Sequence, residues 1–192
     1  TEFVFVCTWV DDFAVFSNST SLYQEVKDVY FGTYDCSEDD LHFMLGVHIE
    51  VSPTHEKIKI HSRKHIDRIL AKFGTPSRGS LVPATLDFVE LSDVPLPIVG
   101  SDEYNLLRER AMRYRSLVPS LLYVATTTRP EIAYSVGMLC RALDNPSEKH
   151  LKSAETLLAY LAGTKDMGVV YNRTHEFHFS ARHSPLKNGL VS

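Results

Sequence analysis

The chain has 192 residues, 44% of them hydrophobic and 23% charged, with a formal net charge of −4. This is the length of one ordinary domain or two small ones and the composition of a folded globular protein. The acidic balance excludes a globally basic nucleic-acid binder, so any basic surface is local; three widely separated cysteines (Cys7, Cys36, Cys140) lack metal-ligand spacing and suit a reducing, intracellular setting better than a disulfide framework.

Residues 1–19 read as strand, tight turn, strand. Phe3 to Thr8 are aromatic, β-branched or otherwise suited to an extended chain, and Phe13 to Phe16 resume the pattern after Asp11 and Asp12. The apolar run is broken within about ten residues, too short for a bilayer span of about 20, and no signal peptide is visible. The chain opens without Met inside a strand-like run, which reads as a fragment of a longer chain or as the broken end of a gene model. Ser19 to Ser21 supply capping hydroxyls for a helix from Leu22 to Phe31. Residues 41–62 read as a second hairpin, apolar with partial alternation through "LHFMLGVHIEV", turning at "SPTHEK" and alternating cleanly through "KIKIHS".

A helix follows, with Ser62 as its expected cap. Ile66, Ile69, Leu70 and Phe73 fall at i, i+3, i+4 and i+7, a single apolar stripe, and Gly74 with Pro76 ends it. Its other face carries Arg63, Lys64, Arg68 and Lys72. Residues 75–101 hold Pro76, Pro83, Pro95 and Pro97 with two glycines; by composition they are a linker and the candidate boundary. Residues 102–163 read as helical: one helix through "DEYNLLRERAMRYRSLV", a second started by Pro119, a third with Pro130 in its first turn, and a fourth with Asn145 as cap, Pro146 at the first position and Glu148 completing a capping box. "MGVVY" (167–171) reads as a short strand, and the remainder to 192 is polar and weakly patterned. The expected fold class is α+β: two β-hairpins followed by a mainly helical C-terminal half.

Asp11 and Asp12 are the unusual feature. Asp is a common turn residue, which is the plain structural explanation. The alternative is chemical. Two adjacent carboxylates repel unless a cation sits between them, and a hard divalent ion with oxygen ligands relieves this. Such pairs serve magnesium-dependent phosphoryl transfer, in which two ions clamp the attacking and leaving oxygens.

Apolar strand, aromatic-x-Asp-Asp, apolar strand, here "WVDD", resembles the reverse-transcriptase palm; Trp9 stands where those enzymes usually carry Tyr. "FMLGVHIE" (43–50), "IHSRKHIDRILAKFG" (60–74), "YRSLVPSLLYVATTTRPEIAYSV" (114–136) and "HLKSAETLLAYLAGTKDMGVVY" (150–171) are similar, in the same order, to segments of copia-type LTR retrotransposon polyproteins. Pro119 stands where that family usually has Gly, and the family's opening of ribonuclease H does not follow Tyr171.

The resemblance implies a division into a partial palm and thumb segment (1–74), a linker (75–101), a helical connection toward ribonuclease H (102–171) and an irregular tail (172–192). It implies an RNA-directed DNA polymerase that uses two magnesium ions, a template with its primer, deoxynucleotides and the rest of the Pol polyprotein, with no membrane partner, in the cytoplasm (in a virus-like particle) or nucleus. Asp11 and Asp12 would be metal-binding carboxylates. Trp9 would contact the nucleic acid, Phe43, Leu45 and Gly46 would lie in the hairpin that supports the primer terminus, and Arg63, Lys64, Arg68 and Lys72 would lie by the nucleic-acid backbone. The fingers and the third catalytic Asp fall outside the matching segments, so the chain alone is expected to be inactive. The alternative reading is a non-catalytic retrotransposon remnant with at most weak nucleic-acid binding. "TRPEI" (128–132) and His150 are given structural roles.

Overall fold

A computed structural model describes residues 1–10, 12–38, 41–54, 56–77, 79–84, 88 and 90–173. The fold is α+β, as the sequence implies. β1 (Val4–Trp9) and β2 (Asp12–Ser17) form an antiparallel hairpin with Val4 opposite Ser17 and Trp9 opposite Asp12. α1 (Thr20–Thr33) packs on it through Phe13 and Tyr30, whose ring centroids are 4.6 Å apart. α1 covers little of the hairpin. Ala14 is buried, while Phe3, Phe5, Trp9 and Phe16 remain exposed.

β3 (Phe43–Met44), β4 (Val47–Val51), β5 (Lys57–His61) and β6 (Val169–Asn172) build a second antiparallel sheet in that order. Its register sorts the side chains sharply. Met44, Val47, Ile49, Val51, Ile58, Ile60, Val169 and Tyr171 share one face. Phe43, His48 and His61 line up across the other, beside the Glu50–Lys59 pair.

The core is helical. α2 (Arg63–Phe73) buries Ile66, Ile69, Leu70 and Phe73, the stripe read from the sequence. It packs against α3 (Asp102–Thr127) and α5 (Glu148–Gly163), with α4 (Ala133–Cys140) between a 3-10 turn at Pro130–Ile132 and α5. Val118, Leu121, Val124, Val136, Leu139, Leu157 and Leu161 are fully buried, and Tyr114 donates to the Leu139 carbonyl at 2.7 Å.

Three local expectations are corrected. Pro119 does not start a helix; it lies inside α3, which runs unbroken. An interior proline costs about 3 kcal/mol. Leu117, Val118, Leu121 and Val124 flank it and are buried, each contributing about 1.5–3 kcal/mol, so packing outweighs the proline. Asn145 does not cap α5. Its amide donates to the Pro97 carbonyl, and the helix starts after Ser147, whose hydroxyl pairs with His150 Nδ1 at 2.7 Å. Ser62 occupies the cap position of α2 without bonding its backbone; buried, it accepts from the Thr128 hydroxyl at 2.9 Å.

Described residues of the proline-rich segment 75–101 pack against the helices. Phe88 and Leu91 enter the core, Ser135 donates to the Pro83 carbonyl at 3.0 Å, and Lys149 pairs with Glu90 at 3.3 Å. α2, before the segment, and α3–α5, after it, share one hydrophobic core. β6 carries the last described strand, and residues 174–192 of the expected tail lie outside the described residues. Among the described residues no helix is long and apolar enough to cross a membrane.

Candidate functional site

Two places carry the sequence-derived site residues. The first is the tip of the β1–β2 hairpin. Trp9 and Asp12 face each other across its last pair, both exposed; Asp11 lies outside the described residues. Val10, 83% exposed, holds a φ of +51°. A β-branched residue in the left-handed region is strained by about 1–3 kcal/mol, and a turn selected for stability alone would carry Gly or Asn there. Between β2 and α1 lies a cleft of about 740 Å³ lined by Asp12, Lys27, Asp35 and Glu38. Lys27 and the Tyr23 hydroxyl both donate to Glu38, and those two bonds hold its carboxyl below the usual carboxylate range.

A magnesium ion takes near-octahedral oxygen coordination. Among the described residues no group of three or more His, Cys, Asp or Glu is placed to hold a metal ion. Asp12 is one carboxylate on an exposed tip, and the described residues by themselves do not fit a two-magnesium site.

The second place is the β3–β4 turn and the face of α2 beside it. Leu45 and Gly46 hold φ of +51° and +83°, the double left-handed geometry that a two-residue hairpin turn needs. Phe43 and Leu45, both about half exposed, flank the turn. Lys64 Nζ lies 5.4 Å from the Phe43 ring centroid, so the structure brings the FMLG segment and the basic helix together.

The four basic residues of α2 are all exposed but not equally committed. Arg63 pairs with Asp166 at 2.5 Å, and Lys72 donates to the Ser116 hydroxyl at 2.7 Å. Lys64 and Arg68, four residues apart on one face, are the two with no hydrogen-bond or ion-pair partner among the described residues. The broad basic face expected from the sequence therefore narrows to this pair. Trp9 and Asp12 belong to the other sheet.

Several residues at this turn escape sequence reading. The Tyr123 hydroxyl, from near the C-terminal end of α3, donates to the Leu45 carbonyl, and its ring packs on His65 at 4.6 Å. His48 stacks on His61 at 5.1 Å with an 11° interplanar angle, and Phe43 packs on His48 at 4.8 Å. His61 Nε2 bonds Glu50 at 3.0 Å, while the His48 and His65 Nε2 atoms are buried without a partner among the described residues. Burial, reinforced by Lys64 and His61, holds His48 below its ordinary pKa; burial and Arg68 do the same for His65. The cross-strand pairs follow from register, which periodicity alone does not fix. Tyr123 reads in the sequence only as one more aromatic on an amphipathic helix.

Arg129 has a structural role, through contacts that the sequence does not show. It is 1% exposed, and its guanidinium donates to Glu131 at 2.5 Å, the Thr164 carbonyl at 2.8 Å and the Thr164 hydroxyl at 2.7 Å, above the Tyr160 ring. "TRPEI" is thus more than a helix start: it ties the end of α5 to the entry of α4.

No family model and no solved structure matches the chain. Among curated proteins, it is 27% identical over 164 residues to the retrovirus-related Pol polyprotein from transposon TNT 1-94 of Nicotiana tabacum, covering 85% of this chain and 12% of that one. It is 27% identical over 171 residues to the retrovirus-related Pol polyprotein from transposon RE1 of Arabidopsis thaliana, covering 86% and 11%. It is also 28% identical over 173 residues to a putative transposon Ty5-1 protein of Saccharomyces cerevisiae, covering 88% and 52%. The chain thus spans about one eighth or less of the two Pol polyproteins. It is related to them over most of its own length, in line with the motifs read from residue 3 to residue 171, and so corresponds to a segment of the Pol polyprotein of copia-type retrotransposons.

Proposed function

We propose that this segment belongs to the RNA-directed DNA polymerase of the retrotransposon, and that it carries part of the polymerase site rather than a whole one. Asp11 and Asp12 contribute two carboxylates to a magnesium site whose remaining oxygen ligands come from elsewhere in Pol. The Phe43–Gly46 turn supports the primer end of a template–primer duplex, and Lys64 and Arg68 meet its phosphates, a sequence-independent contact. The observation that carries the reading is the first hairpin. It is an apolar ribbon with aromatic side chains left uncovered and a strained Val10 beside paired carboxylates, in a chain related to Pol polyproteins over 85% of its length. Such a ribbon is marginal alone and fits a larger sheet. The 192 residues alone do not polymerise on this reading.

The test is primer extension on an RNA template. The chain alone is expected to give no extension. Co-produced with the preceding part of Pol, it is expected to give magnesium-dependent extension that D11N or D12N abolishes. Extension by the isolated chain, or extension indifferent to both substitutions, overturns the proposal.

A further inference from the structure

The β3–β4 turn is thinly held by its own ladder, because β3 has only two residues, Phe43 and Met44. Both turn residues sit in the left-handed region, and one of them, Leu45, is not a glycine. A hairpin of this kind does not hold a single orientation in water without a tertiary anchor. Tyr123 supplies one. Its hydroxyl donates to the carbonyl of Leu45. A Cβ on Gly46 would lie 2.7 Å from that same hydroxyl, so the residue must be glycine for its close approach as well as for its φ. The Tyr123 ring packs on His65, next in the chain to Lys64 and three before Arg68. One side chain therefore touches both elements of the candidate interface: the turn with exposed Phe43 and Leu45, and the helix with the two uncommitted cations.

We propose that Tyr123 is a positioning residue for duplex binding. It fixes the Leu45–Gly46 turn against the Lys64–Arg68 face of α2, so that apolar and cationic contacts meet a template–primer end in one prearranged geometry. This rests on the reading of the turn as a primer-side contact. Prearrangement raises affinity by removing the ordering cost at the moment of binding.

The test uses the full 192-residue chain and a fluorescein-labelled RNA–DNA template–primer, followed by anisotropy at one fixed low salt concentration, with hydrogen exchange read at residues 43–48. Y123F keeps the ring on His65 and removes only the hydroxyl. It is expected to weaken binding about five- to tenfold, the equivalent of one hydrogen bond. It is also expected to speed exchange at 43–48 and leave exchange in the buried part of α3 unchanged. G46A weakens binding further, and part of its effect disappears in the Y123F background, where the new Cβ no longer meets a hydroxyl. Wild-type affinity in Y123F, or additivity of the two substitutions, overturns the proposal, because a residue that only supports the core moves thermal stability and not this cycle. A wild-type chain that fails to bind the duplex overturns the nucleic-acid reading itself. Exchange at 43–48 in Y123F then decides the anchoring alone, and unchanged exchange refutes it.

Discussion

Replacing Arg129 with Met leaves a cavity-filling side chain in place of a guanidinium that is 1% exposed. Three charge-assisted bonds are lost, to Glu131 and to the carbonyl and hydroxyl of Thr164. Glu131 is 36% exposed and can recover water. The Thr164 groups keep other partners, the carbonyl the Met167 amide at 2.9 Å and the hydroxyl the Tyr160 carbonyl at 2.7 Å, so what is lost is each charge-assisted bond itself, about 1.5–3 kcal/mol. The stack over Tyr160, 5.3 Å from the ring centroid, adds about 0.5–2 kcal/mol. Together these losses come to about 4 kcal/mol or more. With a urea m-value of about 2 kcal/mol/M, the unfolding midpoint falls by about 2 M. R129K keeps the charge but not the fork that reaches two acceptors on Thr164, and falls between the wild type and R129M. The assay is urea unfolding followed by far-UV circular dichroism. An R129M midpoint within about 0.5 M of wild type refutes the view that this arginine holds the helical unit together.

Burial holds His150 below its ordinary pKa of 6.5, as it does His48 and His65. The fold favours the neutral rings while the unfolded chain takes up protons near 6.5. Stability from these groups is therefore fully present above that pH and is lost as pH falls below it; midpoints measured from pH 7.5 to 5.5 should fall, with a shallower slope in H150N, and a flat profile contradicts the burial argument. P119A restores an amide donor inside α3 and should stabilise the chain by about 1–2 kcal/mol, seen as a raised Tm, if the helix is continuous. G168A places a Cβ against the Ile60 carbonyl and 2.9 Å from His61 Cβ, so β6 should detach, with faster amide exchange along β5 and a loss of about 1–3 kcal/mol.

Where one element's own periodicity determines burial, the sequence reveals the fold. The α2 stripe, the first hairpin, and the strand expected at 167–171 and found at Val169–Asn172 follow from local pattern. Pro119 misleads because its cost is local while the burial that outweighs it comes from α2, α4 and α5. Asn145 misleads for the same reason: its preferred partner is a carbonyl 48 residues away at Pro97. At the candidate site, Phe43, Leu45, Gly46 and the basic α2 positions are legible as residue types, and the FMLG–α2 association is not. It depends on a hairpin turn, a helix face and Tyr123 meeting across 78 residues of chain. Arg129 escapes for a related reason, since an arginine before a proline carries no sign that its partners sit on Thr164.

The order of the second sheet has a consequence for synthesis. β5 is paired on one side by β4, a short hairpin away, and on the other by β6, which emerges only after all of α2 to α5, about a hundred residues later. Until that last strand leaves the ribosome, the row of amides and carbonyls from Lys57 to Ile60 is an open edge beside an apolar face. At a few residues to tens of residues per second, the nascent chain exposes this edge for roughly five to twenty seconds. A chaperone that shields strand edges, or a neighbouring nascent copy, would meet the protein in that interval and at no later time.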